Sequence, residues 1–168
     1  MVTNGELVSL RRGLYLRDRA VNPLALADAI HGPSYVSFET ALAWHGLIPE
    51  RVEEIVSATL KRPAFFETMV GRYRYRPVPA RVYPIGIERV EDASLLWLLA
   101  SPTKALCDTI AREVRIRSLK DVRSWLKSMR IDGLPSMDHE QLAACAVRYG
   151  RPSVRLLHRF FIKNPPTL

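Results

Sequence analysis

Cysteine is scarce in this chain: Cys107 and Cys145 are the only thiols in 168 residues, and no Cys-x-x-Cys pair exists. That excludes a disulfide framework and a four-cysteine zinc module, and a reducing cytoplasm is the expected compartment. Each thiol is expected to pack on a helix face. Histidine is equally sparse, and His31, His45, His139 and His158 fall in no metal-ligand spacing. His45, on an apolar helix face, reads as a packed, hydrogen-bonded residue and not as a ligand or base. A glycine-rich phosphate loop is absent. No Gly-x-Ser-x-Gly elbow surrounds Ser34 or Ser37. The acidic doublets Glu53-Glu54 and Glu91-Asp92 are adjacent, so their side chains diverge on a strand or a helix alike. Neither catalytic residues nor a cofactor or metal site can be assigned. No apolar run nears the ~18 residues of a membrane span, and no charged-then-apolar leader opens the sequence, so no membrane partner is expected. Acids are also under-supplied, 17 against 25 lysines and arginines, for a net charge of +8 and a pI near 9.9. Such an excess suits a polyanionic partner, most simply nucleic acid, although an inert basic surface would give the same count.

The length suits one domain, or one domain with a small appendage, and nearly half of the residues are apolar, enough for a sizeable core. Residues 1–19 read as a β-ribbon: Leu7, Ser9 and Arg11 alternate with Val8, Leu10 and Arg12 before Gly13 turns the chain into Leu14-Tyr15-Leu16. Asn22 caps a helix with Pro23 at its first position, its buried side being Leu24, Ala27 and Ile30. Gly32-Pro33 is a turn. Ser37 is placed to cap a two-turn helix striped by Phe38, Ala41, Leu42 and His45 and stopped by Gly46. Residues 55–60 alternate as a strand, and residues 65–69 and 72–76 flank Val70-Gly71 as a hairpin. Residues 81–90 read as a further extended run, edge or bulged because of Pro84 and Gly86. Residues 95–99, Leu-Leu-Trp-Leu-Leu, suit a central strand covered on both faces. From Ser101 the period turns helical. Caps at Ser101, Ser118 and Asp138, a stop at Gly150 and Pro152 at a helix start mark four helices, and residues 164–168 form a frayed tail. Neither an internal repeat nor a low-complexity linker interrupts the chain.

Three blocks carry a family resemblance. The first is residues 32–50, Gly-Pro-Ser-Tyr-Val-Ser-Phe-Glu-Thr-Ala-Leu-Ala-Trp-His-Gly-Leu-Ile-Pro-Glu. The second is Ser57-Ala-Thr-Leu-Lys-Arg62 with the run 65–75, and the third is Leu98-Leu-Ala-Ser-Pro-Thr-Lys-Ala-Leu-Cys-Asp108. In this order and spacing they resemble the AbiEi-type antitoxin family of type IV toxin–antitoxin systems, over roughly residues 5–110. The last third resembles the family only in being helical, and Thr103 stands where the family pattern has an acid. The resemblance implies that Arg11-Arg12-Gly13-Leu14-Tyr15 is the wing of an N-terminal winged helix whose preceding helices are missing here. Either the chain is a shortened member or its start lies upstream. The toxin that accompanies this family resembles nucleotidyltransferases, which use a Gly-Ser followed by paired aspartates. This chain has neither, so it is not the toxin.

The expected fold is α+β: a wing-like β-ribbon over residues 1–20, then an antitoxin-like domain over 21–168. That domain holds a small mixed sheet of four or so strands and a helical part from about residue 101. Candidate nucleic-acid contacts are drawn from the basic residues. Arg72, Arg74 and Arg76 alternate along one strand face with Arg81 close behind, where three guanidinium forks can bridge successive phosphates. The same row could equally be a solvated outer face. Tyr73 and Tyr75 point the other way, into the core. Residues 112–130 hold seven basic side chains against two acids, and within them Arg123, Lys127 and Arg130 share one helix side. Arg151, Arg155, Arg159 and Lys163 form an i+4 ladder whose like charges repel unless an anion meets them, with solubility as the plainer explanation. The contacts chosen are Arg11, Arg12, Arg72, Arg74, Arg76, Arg81, Arg123, Lys127, Arg155 and Arg159. The expected role is an antitoxin-like transcriptional regulator that binds DNA at its own promoter, counteracts a cognate nucleotidyltransferase-like toxin, or does both. A protein-interaction module without DNA binding is the alternative, and an enzyme acting on nucleic acid a third.

Overall fold

A computed structural model describes residues 7–17, 20–92, 95–131 and 136–165. The parts of the ribbon at residues 1–6 and 18–19 and of the tail at 166–168 lie outside them. The chain is α+β, as the sequence leads one to expect. Strands β1 (Val8–Arg11) and β2 (Leu14–Leu16) pair antiparallel as the ribbon, turned by Gly13 at φ +83°. Asn22 Oδ1 accepts from the Leu24 N–H (3.0 Å) and opens a 3-10 turn at Pro23–Leu26, which runs into α1 (Ala27–His31).

The main sheet has six strands among the described residues, in the order β5-β6-β4-β3-β8-β7. They are β3 (Ser34–Val36), β4 (Glu54–Thr59), β5 (Ala64–Thr68), β6 (Gly71–Pro77), β7 (Ile87–Asp92) and β8 (Leu95–Ala100). Pairing is parallel for β4–β6 and β3–β8 and antiparallel elsewhere. The expectation of four or so strands falls short chiefly because of β3, which the sequence reading passes over as a turn and a cap. Three residues are too few for periodicity, yet Ser34, Tyr35 and Val36 are all buried at the sheet centre.

Two other strand expectations are corrected. The run 81–90 is mostly turn, and only Ile87–Asp92 is a strand, at the sheet edge. Gly86 explains the break: its φ is +62°, and a Cβ there would sit 2.9 Å from both Lys104 Cβ and Ser101 Oγ. Strand β8 is covered on both sides only toward its end, since Leu96 is exposed. Conversely β4 is buried on both faces, with Ser57 and Thr59 as enclosed as Val56 and Ala58.

Helices cover both sides of the sheet. On one, Tyr73 and Tyr75, fully buried as expected, donate their hydroxyls to the Pro23 carbonyl (2.8 Å) and the Ala27 carbonyl (2.5 Å). On the other stand α3 (Pro102–Ile110) and α5 (His139–Tyr149), with α4 (Leu119–Ser128) packed on α6 (Pro152–Lys163). Caps fall where their sequences place them: Ser101 accepts from Lys104, Ser118 from Asp121 and Asp138 from Gln141, while Gly150 closes α5 at φ +63°. Helix α3 is no amphipathic stripe, because every residue from Thr103 to Ile110 is buried. Arg130 falls beyond α4, at φ +54°, and pairs with Glu50, so it does not extend the row of Arg123 and Lys127. Helix α2 (Phe38–Trp44) follows β3 directly and buries Phe38, Ala41 and Leu42. Its His45 is half-buried, with Nε2 2.8 Å from the Ala100 carbonyl.

Candidate functional site

Ser37 stands at the head of α2 but does not cap it with its side chain. Its hydroxyl instead donates to Asp108 Oδ2 at 2.7 Å. Tyr35, two residues earlier on β3, donates to the same oxygen at 2.9 Å. Asp108 Oδ1 receives Tyr149 Oη at 2.5 Å and Lys104 Nζ at 3.1 Å. Lys104 also donates to the Val82 carbonyl at 2.6 Å, and its ammonium lies 5.5 Å from the ring centroids of both Tyr35 and Tyr149. Both members of the ion pair have wholly buried side chains. The Asp108–Lys104 pair thus ties β3, α3, α5 and the loop before β7 together, with all four acceptor positions of the carboxylate used. Burial, then the neighbouring Asp108 charge, pushes both tyrosine hydroxyls far above their ordinary pKa. They are fixed donors and not acids at any physiological pH.

Asp108 and Tyr149 form the floor of a cleft of about 270 Å³, walled by Phe38, Pro77, Val78 and Pro79 and rimmed by Arg112 and Arg151. Among the described residues, neither rim arginine has an ion-pair partner. Phe38 holds φ +53°, a conformation a bulky residue keeps only where its surroundings enforce it. A second cleft, about 550 Å³, shares Pro77 and Arg112 with the first and runs along Phe65, Arg74 and Arg76.

The ten residues drawn from the sequence are not gathered in one place. Arg72, Arg74 and Arg76 do share one face of β6, but each meets an acid the sequence window does not contain. Arg72 pairs with Glu53 (2.9 Å), Arg74 with Glu54 (2.6 Å) and Arg76 with Glu39 (3.0 Å). The parallel register sets Glu54 of β4 opposite Arg72 and diagonal to Arg74, its ion-pair partner, while Glu53 comes from the approach to β4 and Glu39 from α2. With partners counted, the row carries no net charge. The Arg74 guanidinium holds Glu54 below the usual carboxylate range. Arg74 also lies over the Phe65 ring and Arg76 over Phe38. Arg81 is turned to the end of α5, donating to the Arg148 and Tyr149 carbonyls. Arg123 stacks on Phe160 and donates to Asn164. Arg155 donates to the Gly150 carbonyl. Arg11 and Arg12 at the ribbon tip, Lys127 and Arg159 are exposed, and no partner is found for their heads among the described residues. The cleft residues Arg112 and Arg151 belong to the basic runs read from the sequence, but nothing local distinguishes them from their neighbours.

The cysteines are free and buried, as expected, but not isolated: the two thiols lie within hydrogen-bonding reach across α3 and α5. The bond to Cys145 and full burial raise the Cys107 pKa, while that bond lowers Cys145. In the native protein neither thiol should react with a thiol reagent until denaturant is added, when two should be released together. Prompt labelling of either would contradict this packing.

No family model, no curated protein and no solved structure matches this chain.

Proposed function

We propose that the protein is an antitoxin-like regulator of a type IV toxin–antitoxin system, acting in the cytoplasm. It binds DNA at its own promoter, counteracts a nucleotidyltransferase-like toxin, or does both, and needs no cofactor or catalysis. The observation that carries this reading is the convergence of the family-like blocks on Asp108. The first block contributes Tyr35 and Ser37, the third Lys104 and Asp108, and the second forms β4 to β6 beside β3. Residues that resemble the family are therefore the ones that build the centre of the fold. The charge of +8 adds a reason to expect an anionic partner.

DNA contact in this reading runs through phosphates and discriminates sequence weakly, since among the described residues no free helix follows a turn that could seat it in a major groove. Titrating duplex DNA from the upstream region at several salt concentrations tests it. Log K should fall with log salt by about 0.9 per phosphate contacted. Replacing Arg11 and Arg12 together with serine should flatten the slope by about two units, for operator and random duplex alike. Replacing Arg72, Arg74 and Arg76 together should change it by less than about one unit in total, against the roughly 2.7 units of three full phosphate contacts, because Glu53, Glu54 and Glu39 already neutralise them. The same ion pairs favour the other reading, an interaction module without DNA binding. Absence of any salt-dependent binding by the wild type would decide for that module.

A further inference from the structure

The start of α6 is left open. Arg151 occupies the cap position without a side-chain bond to the helix, and Pro152 follows it. The first backbone bond into the helix is Arg155 N–H to the Arg151 carbonyl, so the amides of Ser153 and Val154 have no partner within the helix. Ser153 is 3% exposed, and its Oγ has no hydrogen-bond partner among the described residues. Nor is that oxygen sealed in the interior with the buried unpartnered atoms. It opens onto a cleft of about 210 Å³ lined by Arg151, Pro152, Ala111, Val114, Ile116 and Glu113. This cleft shares Ala111, Val114 and Arg151 with the cleft over Tyr149, whose rim adds Arg112. Arg155 reaches back to the Gly150 carbonyl at 3.1 Å, bringing another guanidinium to the helix start.

We propose that the α6 N-terminus, with Ser153 Oγ and Arg151, is a binding site for the phosphate of a nucleotide unit, whose ring lies in the adjoining cleft. Two amides, a hydroxyl and guanidinium forks offer more donors than the two oxygens of a carboxylate can use, and they suit a phosphoryl group. The neighbouring walls of Phe38, Pro77, Pro79 and Val114 give a planar ring an apolar seat. Glu113 opposes the anion and limits affinity. The site goes beyond the duplex-binding role and does not require it.

Amide resonances of Ser153 and Val154 report on the site directly. The full chain is titrated with inorganic phosphate, adenosine monophosphate, adenosine and a short single-stranded oligonucleotide. The phosphate-bearing probes should shift both resonances and adenosine should not. Arg151→Ser and Ser153→Ala should each weaken that binding by about tenfold, as for one hydrogen bond to a charged group. Glu113→Gln should strengthen it. A tighter mononucleotide identifies free nucleotide as the source, and a tighter oligonucleotide identifies a nucleic-acid strand. Unmoved resonances at millimolar probe, or unchanged affinity in both weakening variants, would overturn the site whatever the duplex titration shows.

Discussion

Asp108→Ala is expected to be among the most destabilising single changes in the chain, lowering the free energy of unfolding by about 3–5 kcal/mol. The substitution leaves Lys104 as a buried, unpaired ammonium and strips the acceptor from Tyr35, Ser37 and Tyr149. Each orphaned buried donor carries a desolvation cost of its own. A folded domain holds only about 5–15 kcal/mol in reserve, so the variant should populate unfolded chain under mild conditions. Asp108→Asn keeps one acceptor oxygen and should fall between it and the wild type. The double variant Lys104→Met with Asp108→Leu should lose less than the two single changes added together, since no lone charge remains buried. Urea midpoints of the wild type, Asp108→Ala, Asp108→Asn, the singles Lys104→Met and Asp108→Leu, and the double variant are the measurement. A drop below about 1 kcal/mol in Asp108→Ala, or strict additivity in the double variant, would show that the network does not hold the layers together.

Little of that network could be read along the chain. Lys104 and Asp108 are four residues apart, and their i,i+4 spacing on α3 is visible in the sequence. Their other partners are separated from Asp108 by 73, 71 and 41 residues, and nothing local announces that Tyr35, Ser37 and Tyr149 converge. Ser37 shows how tertiary structure overrides a local signal. Its residue type satisfies the rule for a helix cap, but the hydroxyl is turned to donate to the buried carboxylate 2.7 Å away, and its oxygen accepts from no amide of the first turn. Local chemistry succeeded in the caps at Ser118 and Asp138 and in the β5–β6 hairpin, and Ser101 still caps α3 while its hydroxyl donates to Gln141 Oε1. The arginine row fails for a related reason. A strand's alternation is a local property, but the carboxylates facing it come from β4, α2 and the approach to β4, and only the strand register and the packing of α2 on β4 set them there. Charge counted within a window thus overstates the charge on a surface.

Phe38 combines a large buried surface with an unfavourable backbone, and the two effects can be separated. The ring is buried beneath the Arg76 guanidinium, which lies 5.0 Å from its centroid. Truncation in Phe38→Ala should cost about 3–5 kcal/mol, the range for a buried aromatic side chain. Alanine keeps a Cβ and therefore keeps the strain of φ +53°. Glycine removes it, and a left-handed conformation costs an L-residue about 1–2 kcal/mol more than glycine. Phe38→Gly should therefore be more stable than Phe38→Ala by about 1 kcal/mol, the reverse of the usual order inside a helix, where glycine is worse by about that amount. Thermal or urea unfolding of the two variants beside the wild type decides it. Alanine more stable than glycine would mean that α2 has shifted to relieve residue 38, and an unchanged midpoint in Phe38→Ala would mean that the ring does not anchor the helix.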